Sequence, residues 1–400
     1  MIPLLKLGGV LGLIIVLLRR KLNLGLVLLI AALAVAWLFA HPLPALQEDV
    51  LKAIEDPLTL RLALIVVLIM LLGELLRVTA GMAQMVQALD DLLPDGRLVL
   101  VLWPAFIGLL PMVGGAMFSA PLVQEVGERL HISAERRTFL NYWFRHVWEN
   151  VLPLYPSFVL GIGLLGLTAQ RAVSLFWPMA LAAVGSGLVL GFASIQREQR
   201  VSRNHLRDNL RLLVRSSWPV FLVLAFTLVL GLDMLIALGI VLGLQMAVGR
   251  VQLRTLRDVA RRLPWTTVLV IVSAMVFRQV LEGSGAVRQV AEALSTLPIA
   301  PAILAFALPF LAGLFTGLTS AAYSIGFPLV LPLFGAAPLS GGQLAWLWTA
   351  GLVGVLLSPM HACLALTREY FKADWGRLYH FLFPAVGSMA LMAGLLLLIG

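Results

Sequence analysis

The sequence predicts an all-α polytopic membrane protein built as two inverted repeats, each with a re-entrant helical hairpin and a proline-broken helix. Three observations predict it. First, 60% of the 400 residues are hydrophobic and only 12% are charged, with a mean hydropathy of +0.98. Soluble chains carry about 25% charged residues. The apolar runs also have helix length, unlike the roughly ten-residue alternating strands of an outer-membrane barrel. Second, two apolar runs are interrupted by clustered Pro and Gly: LLPMVGGAMFSAPLV (Leu109–Val123) and FLAGLFTGLTSAAYSIGFPLV (Phe310–Val330). Proline removes a backbone donor, and unpaired backbone is tolerated at membrane depth only against protein or a water-filled cavity. Third, the order of elements around the first run recurs around the second.

The first half reads as follows. Helices fall at about 3–18, 24–40 and 58–77. The first apolar run is followed by Arg19, Arg20 and Lys21, the wrong flank for a secretory signal, and reads as a retained helix. His41–Asp56, with Glu48, Asp49, Glu55 and Asp56 against Lys52, reads as an acidic loop. Met82, Met85, Val86 and Leu89 in GMAQMVQALDDLL (Gly81–Leu93) have the spacing of an interfacial amphipathic helix. The first hairpin spans about 98–126. Phe139–Leu167 is broken at Pro153 and Pro156 and contains Asn141, Arg145, His146, Glu149 and Asn150. A further helix covers about 173–193.

The middle is polar. Gln196–Ser217 holds six Arg against two acidic residues and reads as a cytoplasmic linker between the halves. Trp218–Val248 fits two short helices with a turn at Gly231–Asp233, or one long tilted helix; a second basic stretch is Arg250–Arg262. The order then repeats. A helix at Trp265–Leu281 precedes GAVRQVAEALSTL (Gly285–Leu297), which is like GMAQMVQALDDLL. The second hairpin spans about 300–334, and a helix from about Gln343 meets Ser358 and Pro359. Pro328-Leu329-Val330 stands 207 positions after Pro121-Leu122-Val123. The expected division is N-terminal helices that are partly scaffold (1–56), repeat 1 (57–193), the linker (194–217), repeat 2 (218–377) and a C-terminal transmembrane helix (378–400).

Charge orients this arrangement. With both termini outside, the Arg19–Lys21 turn, Arg97, Glu128–Arg137, both arginine-rich stretches and Thr367–Arg377 fall inside. They hold 21 of the 29 Lys and Arg, a strong positive-inside bias. The +9 net charge is thereby accounted for by loops facing the cytoplasm and anionic lipid, with no nucleic-acid partner expected. The repeats then lie inverted in a cytoplasmic (inner) membrane. In secondary transporters, paired interrupted segments in corresponding places mark the substrate site.

The candidate site residues follow. At the hairpin tips, Gly114, Gly115, Ser119, Thr316, Thr319, Ser320 and Ser324 offer amides and hydroxyls to an anion, because half-helix N-termini favour negative charge. The plainer alternative is small residues that let helices pack closely. Asn141 and Arg145 precede the first break, which Asn150 and Tyr155 flank; Ser358 and His361 flank the second. Arg145 is read as the anion-binding residue, with His146 or Glu149 as proton carrier, since charges at membrane depth are costly. The alternative is a structural ion pair, and for His361 a packed, hydrogen-bonded residue. Glu74–Arg77 and Arg278–Glu282 read as local pairs. Six scattered His and the lone Cys363 give no metal motif, and His146-x-x-Glu149 is not HExxH. No cofactor is expected beyond Na⁺ as a candidate coupling ion, and no Walker A motif supports an ATP-driven pump.

Three motifs, PMVGGAMFSAPLV, NYWFRHVWENVLPLYP and LLSPMHACLALTREYF, together resemble the prokaryotic membrane family known as domain of unknown function four hundred and one. That family is grouped in the ion transporter superfamily with the divalent anion–sodium symporters and the arsenite, gluconate and lactate permeases. The resemblance spans most of the chain. It implies inverted repeats with re-entrant hairpins and, by analogy, an elevator mechanism against a homodimeric scaffold. Dicarboxylate symporters carry Ser-Asn-Thr at their tips; here the tips read Gly114-Gly115-Ala116 and Gly317-Leu318-Thr319-Ser320, which argues against a dicarboxylate. The expected function is secondary active symport of a small, carboxylate-like or inorganic anion with Na⁺ or H⁺. The rivals are a passive channel and an intramembrane enzyme acting on a lipid-like substrate; for the enzyme, the tip serines lack an evident base.

Overall fold

A computed structural model describes residues 2–78, 84, 95–109, 116–192, 195, 206–249, 251, 253–295, 300–334 and 338–399. Among these residues the elements are helices, and seven stretches are long and apolar enough to cross a membrane: Ile2–Arg19, Pro57–Val78, Ala169–Phe192, Arg207–Val229, Trp265–Gly283, Gly341–Phe371 and Trp375–Ile399.

The N-terminal part comprises α1 (Ile2–Arg19), α2 (Leu24–Leu38), α3 (Leu43–Glu55) and α4 (Pro57–Val78). The acidic segment His41–Asp56 is therefore a helix and not a loop. Leu43, Leu46, Val50 and Ala53 recur at helical spacing, and Leu46 and Ala53 are buried. Asp49 is buried with them, accepting from Gln279 at 3.2 Å and pairing with His41 at 2.9 Å. The acidic residues outside this face obscured the periodicity.

The first hairpin is α5 (Gly96–Gly108) and α6 (Ala116–Arg129). Asp95 caps α5 through the Arg97 N–H. The tip glycines Gly114 and Gly115, and almost all of the 81–93 segment, lie outside the described residues. The broken helix then runs as α7 (Ala134–His146), a 3-10 turn (Val147–Asn150) and α8 (Pro156–Leu164). Ser133 caps α7. Pro153 and Pro156 lack the N–H that would continue the ladder, so 151–155 is non-helical. α9 (Ala169–Phe192) closes the first half.

Part of the region read as a linker is helical. Residues 206–217 already belong to α10 (Leu206–Leu224), where Leu213, Ser216, Ser217 and Val220 form its inward face. Residues 196–205 lie outside the described residues. After a π-helical stretch (Ala225–Val229) the chain turns at Gly231, φ +64°, into α11 (Met234–Val248), capped by Asp233. Trp218–Val248 is thus two helices. α12 (Leu253–Arg262) and α13 (Trp265–Gly283) follow.

The second half opens with α14 (Ala286–Ser295) and then follows the order of the first: a hairpin of α15 (Pro301–Thr316) and α16 (Thr319–Val330), a broken helix of α17 (Gly341–Leu357) and α18 (Ala362–Phe371), and α19 (Trp375–Ile399). A Ser340–Gln343 capping box starts α17.

Packing separates two bodies. In one, α13 lies against α2, α3 and α4, and α4 against α11. In the other, each hairpin packs on the broken helix of its own half: α5 on α7, and α15 on α17. The halves also interlock, because α16 packs on α8 and α6 on α18. The bodies meet where α4 touches α8, α13 touches α16, α9 touches the π-helical stretch and α1 touches α15.

Two sets of polar contacts lie near helix ends. Arg61–Asp233, Asp49–Gln279 and Gln170 to the Leu228 carbonyl lie near one set of helix ends. Arg77–Glu74 and the Asp374 N–H to Glu135 lie near the other. The local pairs Glu74–Arg77 and Arg278–Glu282 form as expected, the latter at 2.9 Å.

Candidate functional site

The site grows from the two breaks and the second hairpin. At the first break, α7 delivers Asn141, Arg145 and His146 into the core, all at most 3% exposed. The 3-10 turn adds Glu149 and Asn150, also buried. Arg145 Nη1 donates to the Tyr155 hydroxyl at 3.2 Å, and that hydroxyl donates to the Gly108 carbonyl at 2.5 Å. A Cβ on Gly108 would strike the Arg145 carbonyl, so hairpin and broken helix touch backbone to backbone. Ser119, fully buried, donates to Asn141 Oδ1 at 2.6 Å and ties the second arm of this hairpin to the same helix.

The second break repeats the clamp with other groups. Ser358 Oγ donates to the Leu314 carbonyl at 2.6 Å, and His361 Nδ1 donates to the Gly317 carbonyl at 2.8 Å. Gly317 has φ +68°, and a Cβ there would sit 2.5 Å from the His361 nitrogen. Glycine alone meets both demands. Gly313 is just as close to the Gly351 carbonyl. A tryptophan braces each hairpin, near the tip in the first and at the base in the second: Trp148 Nε1 donates to the Ala105 carbonyl and Trp346 Nε1 to the Ala302 carbonyl, both at 2.7 Å.

The halves meet through side chains. Thr319, the first residue of α16, donates to Glu149 Oε2 at 3.2 Å. His146 Nε2 and His361 Nε2 are 3.1 Å apart, and Glu149 Oε1 is 3.8 Å from His146 Nε2. The Tyr142 hydroxyl reaches the Leu356 carbonyl at 3.1 Å. Three half-helix N-termini open here, those of α8, α16 and α18, and none has a side-chain cap. Their unpaired N–H groups form a positive end at each. Both polar atoms of the buried Asn150 side chain lack a hydrogen-bond partner among the described residues. A buried cation, three helix N-termini and an amide with open valences are chemistry suited to a small anion.

Of the sequence candidates, Arg145, His146, Glu149, Asn150, Tyr155, Thr319, Ser358 and His361 are thus linked around one region. Ser119 and Asn141 adjoin it. Thr316 is turned to its own helix, donating to the Ala312 carbonyl at 2.6 Å while accepting from the Leu318 N–H. Ser324, buried one turn into α16, donates to the Ala321 carbonyl, and Ser320 is half-buried. Neither joins the cluster through a hydrogen bond. Sequence reasoning passed over Tyr142, on the same face as His146, and Cys363, two residues beyond His361. The i, i+4 spacing signalled the first; for the second, the signal was the His-x-Cys at the break.

A cavity of about 320 Å³ lies between α4, α8 and the α10–α11 turn, with Arg61, Gln170, Thr227 and Asp233 among its lining residues. It is at the contact between the two bodies.

The fold is known from another protein. The crystal structure of the Alcanivorax borkumensis YdaH transporter, 18% identical, superposes with a TM-score of 0.55 over 83% of this chain and 84% of that one. No curated protein matches the chain. Residues 4–399 match the family described as "Protein of unknown function (DUF401)".

Proposed function

The chain belongs to that family, and on this premise we propose that it is a secondary active transporter of a small, carboxylate-like anion, coupled to Na⁺ or H⁺. The carrying observation is the meeting of three uncapped helix N-termini at the buried Arg145. Arg145 and these amides bind the anion, with Asn150 and Thr319 completing its shell. Freed carbonyls at the two breaks hold the coupling cation.

The division into two bodies supports an elevator mechanism. The hairpins, broken helices, α9 and α19 move as the transport unit, and α1–α4 with α10–α13 form the scaffold, which pairs with a second copy. The two repeats lie inverted, and the arginine-rich ends face the cytoplasm, with both termini outside. The grouping of polar contacts at opposite helix ends agrees with this topology. Labelling of single cysteines at Glu48 and at Arg377, in a Cys363→Ser background, tests it: only the first is to react from outside.

The experiment is reconstitution in proteoliposomes and a screen of monocarboxylates, dicarboxylates and inorganic anions by solid-supported-membrane currents, varying Na⁺ at fixed pH and then pH at fixed Na⁺. A saturable current with counterflow, abolished by Arg145→Gln, is expected. Unsaturable flux establishes a channel instead. Silence toward every anion, from protein that melts cooperatively, removes the anion reading.

A further inference from the structure

We infer that His146, His361 and Cys363 form a binding site for one divalent transition-metal ion of the Zn²⁺ class, bridging the two broken helices. The inference starts from which ring nitrogen carries hydrogen. His146 Nδ1 lies 2.6 Å from the Tyr142 carbonyl, and His361 Nδ1 lies 2.8 Å from the Gly317 carbonyl. A carbonyl oxygen only accepts, so each Nδ1 is the donor. Each neutral ring therefore turns an Nε2 lone pair toward the other, across 3.1 Å. Two lone pairs so placed repel unless a cation lies against both.

Two cations fit, a proton and a metal ion, and three features favour the metal. A histidine that donates Nδ1–H to a backbone carbonyl is oriented as metal-bound histidines are. Two nitrogens 3.1 Å apart, each about 2.0–2.1 Å from one ion, subtend roughly 100° at it, close to tetrahedral. A proton between the rings has no use for a third donor, yet the Cys363 sulfur lies within 4.8 Å of a ring nitrogen of each histidine. Modest closure of that side chain completes a His₂Cys set, whose mixed nitrogen and sulfur ligands select a borderline-soft ion. The Glu149 carboxylate, 3.8 Å from His146 Nε2, offsets the added charge beside Arg145. A three-ligand set leaves a fourth position open to water or an anion.

Local sequence could not disclose this site, because His146 and His361 are 215 positions apart. The inference does not depend on anion transport, and its test needs no flux. The full chain, purified metal-free in detergent, is titrated with Co²⁺ alone and then with Zn²⁺. One Co²⁺ per chain is expected, with the visible bands of tetrahedral cobalt, a near-ultraviolet thiolate-to-cobalt band and displacement by Zn²⁺. Cys363→Ser should lose the near-ultraviolet band and bind at least about tenfold more weakly, about 1.4 kcal/mol. His361→Gln should lose the visible bands, with its elution profile and circular dichroism unchanged. An absent cobalt spectrum overturns the inference, most directly if ¹⁵N spectra reveal one proton shared by the two rings. So does a wild-type spectrum from both variants, which would put the metal elsewhere.

Discussion

The two broken helices are clamped at corresponding places by different chemistry. In the first half the Gly108 carbonyl is held by a phenol that also accepts from a buried guanidinium. In the second, the Leu314 and Gly317 carbonyls are held by a hydroxyl and an imidazole. Arg145 and Glu149 have no charged counterpart along α17, which carries no ionisable residue. The first half thus supplies the fixed charges and one helix N-terminus, while the second supplies neutral donors and two helix N-termini. A site shared between the halves needs both only when they are closed on each other, as Thr319–Glu149 and His146–His361 are here.

Substitutions can break or sharpen this contrast. The largest effect is expected where both clamps rest on backbone contact. Gly317→Val places a β-branched residue at φ +68° and against the His361 nitrogen, and should give no monodisperse folded protein. A variant that elutes and melts like the wild type would sink the claim that the tip is pinned there. Next, Arg145→Gln removes a buried charge from a network and should cost about 3–5 kcal/mol, whereas Ser358→Ala removes a neutral donor and should cost about 1 kcal/mol. Tryptophan-fluorescence melting compares them; equal shifts would erase the distinction between a charged and a neutral half.

Tyr155→Phe should fall between these, at about 1–3 kcal/mol, because the Gly108 carbonyl and Arg145 each lose a buried partner. The same melting assay decides it. The smallest effect lies at the surface. The Glu128 carboxyl is held below its ordinary range, first by a hydrogen bond from Gln124 and then by Arg137. Its folded-state value is depressed, so its contribution is present above the unfolded carboxylate range and is lost as pH falls toward the folded value. Gln124→Ala should raise the Glu128 midpoint toward the ordinary value in a ¹³C-glutamate titration. An unmoved midpoint would assign the whole effect to Arg137.

Much of the scaffold could be read from the chain. Pro153 and Pro359 follow helix ends and Pro156 opens the next helix, as the missing N–H of proline allows, and Gly231–Asp233 marks the turn in Trp218–Val248. Asp49 misled, since an acidic residue suggests solvent yet here faces inward to Gln279 and His41. The basic residues of 206–217 likewise hid a helix whose inward face is Leu213, Ser216, Ser217 and Val220. At the site, single positions such as Arg145 and Glu149 stood out because charge is rare in apolar sequence. Their partners did not. Thr319 meets Glu149 across 170 positions, and periodicity reports only on neighbours a turn or two away. Cys363 gave no sign of two histidines converging on it.

The glycine crossings have a consequence for how such a chain can vary. Gly108 rests on the Arg145 carbonyl and Gly313 on that of Gly351, with no room for a Cβ. Every single-base change that replaces glycine with another amino acid introduces a residue that has one. The genetic code therefore offers neither crossing a neighbouring allele that fits. Point mutation meets a wall at these two positions, and only a concerted change that also spreads the facing helices can pass it.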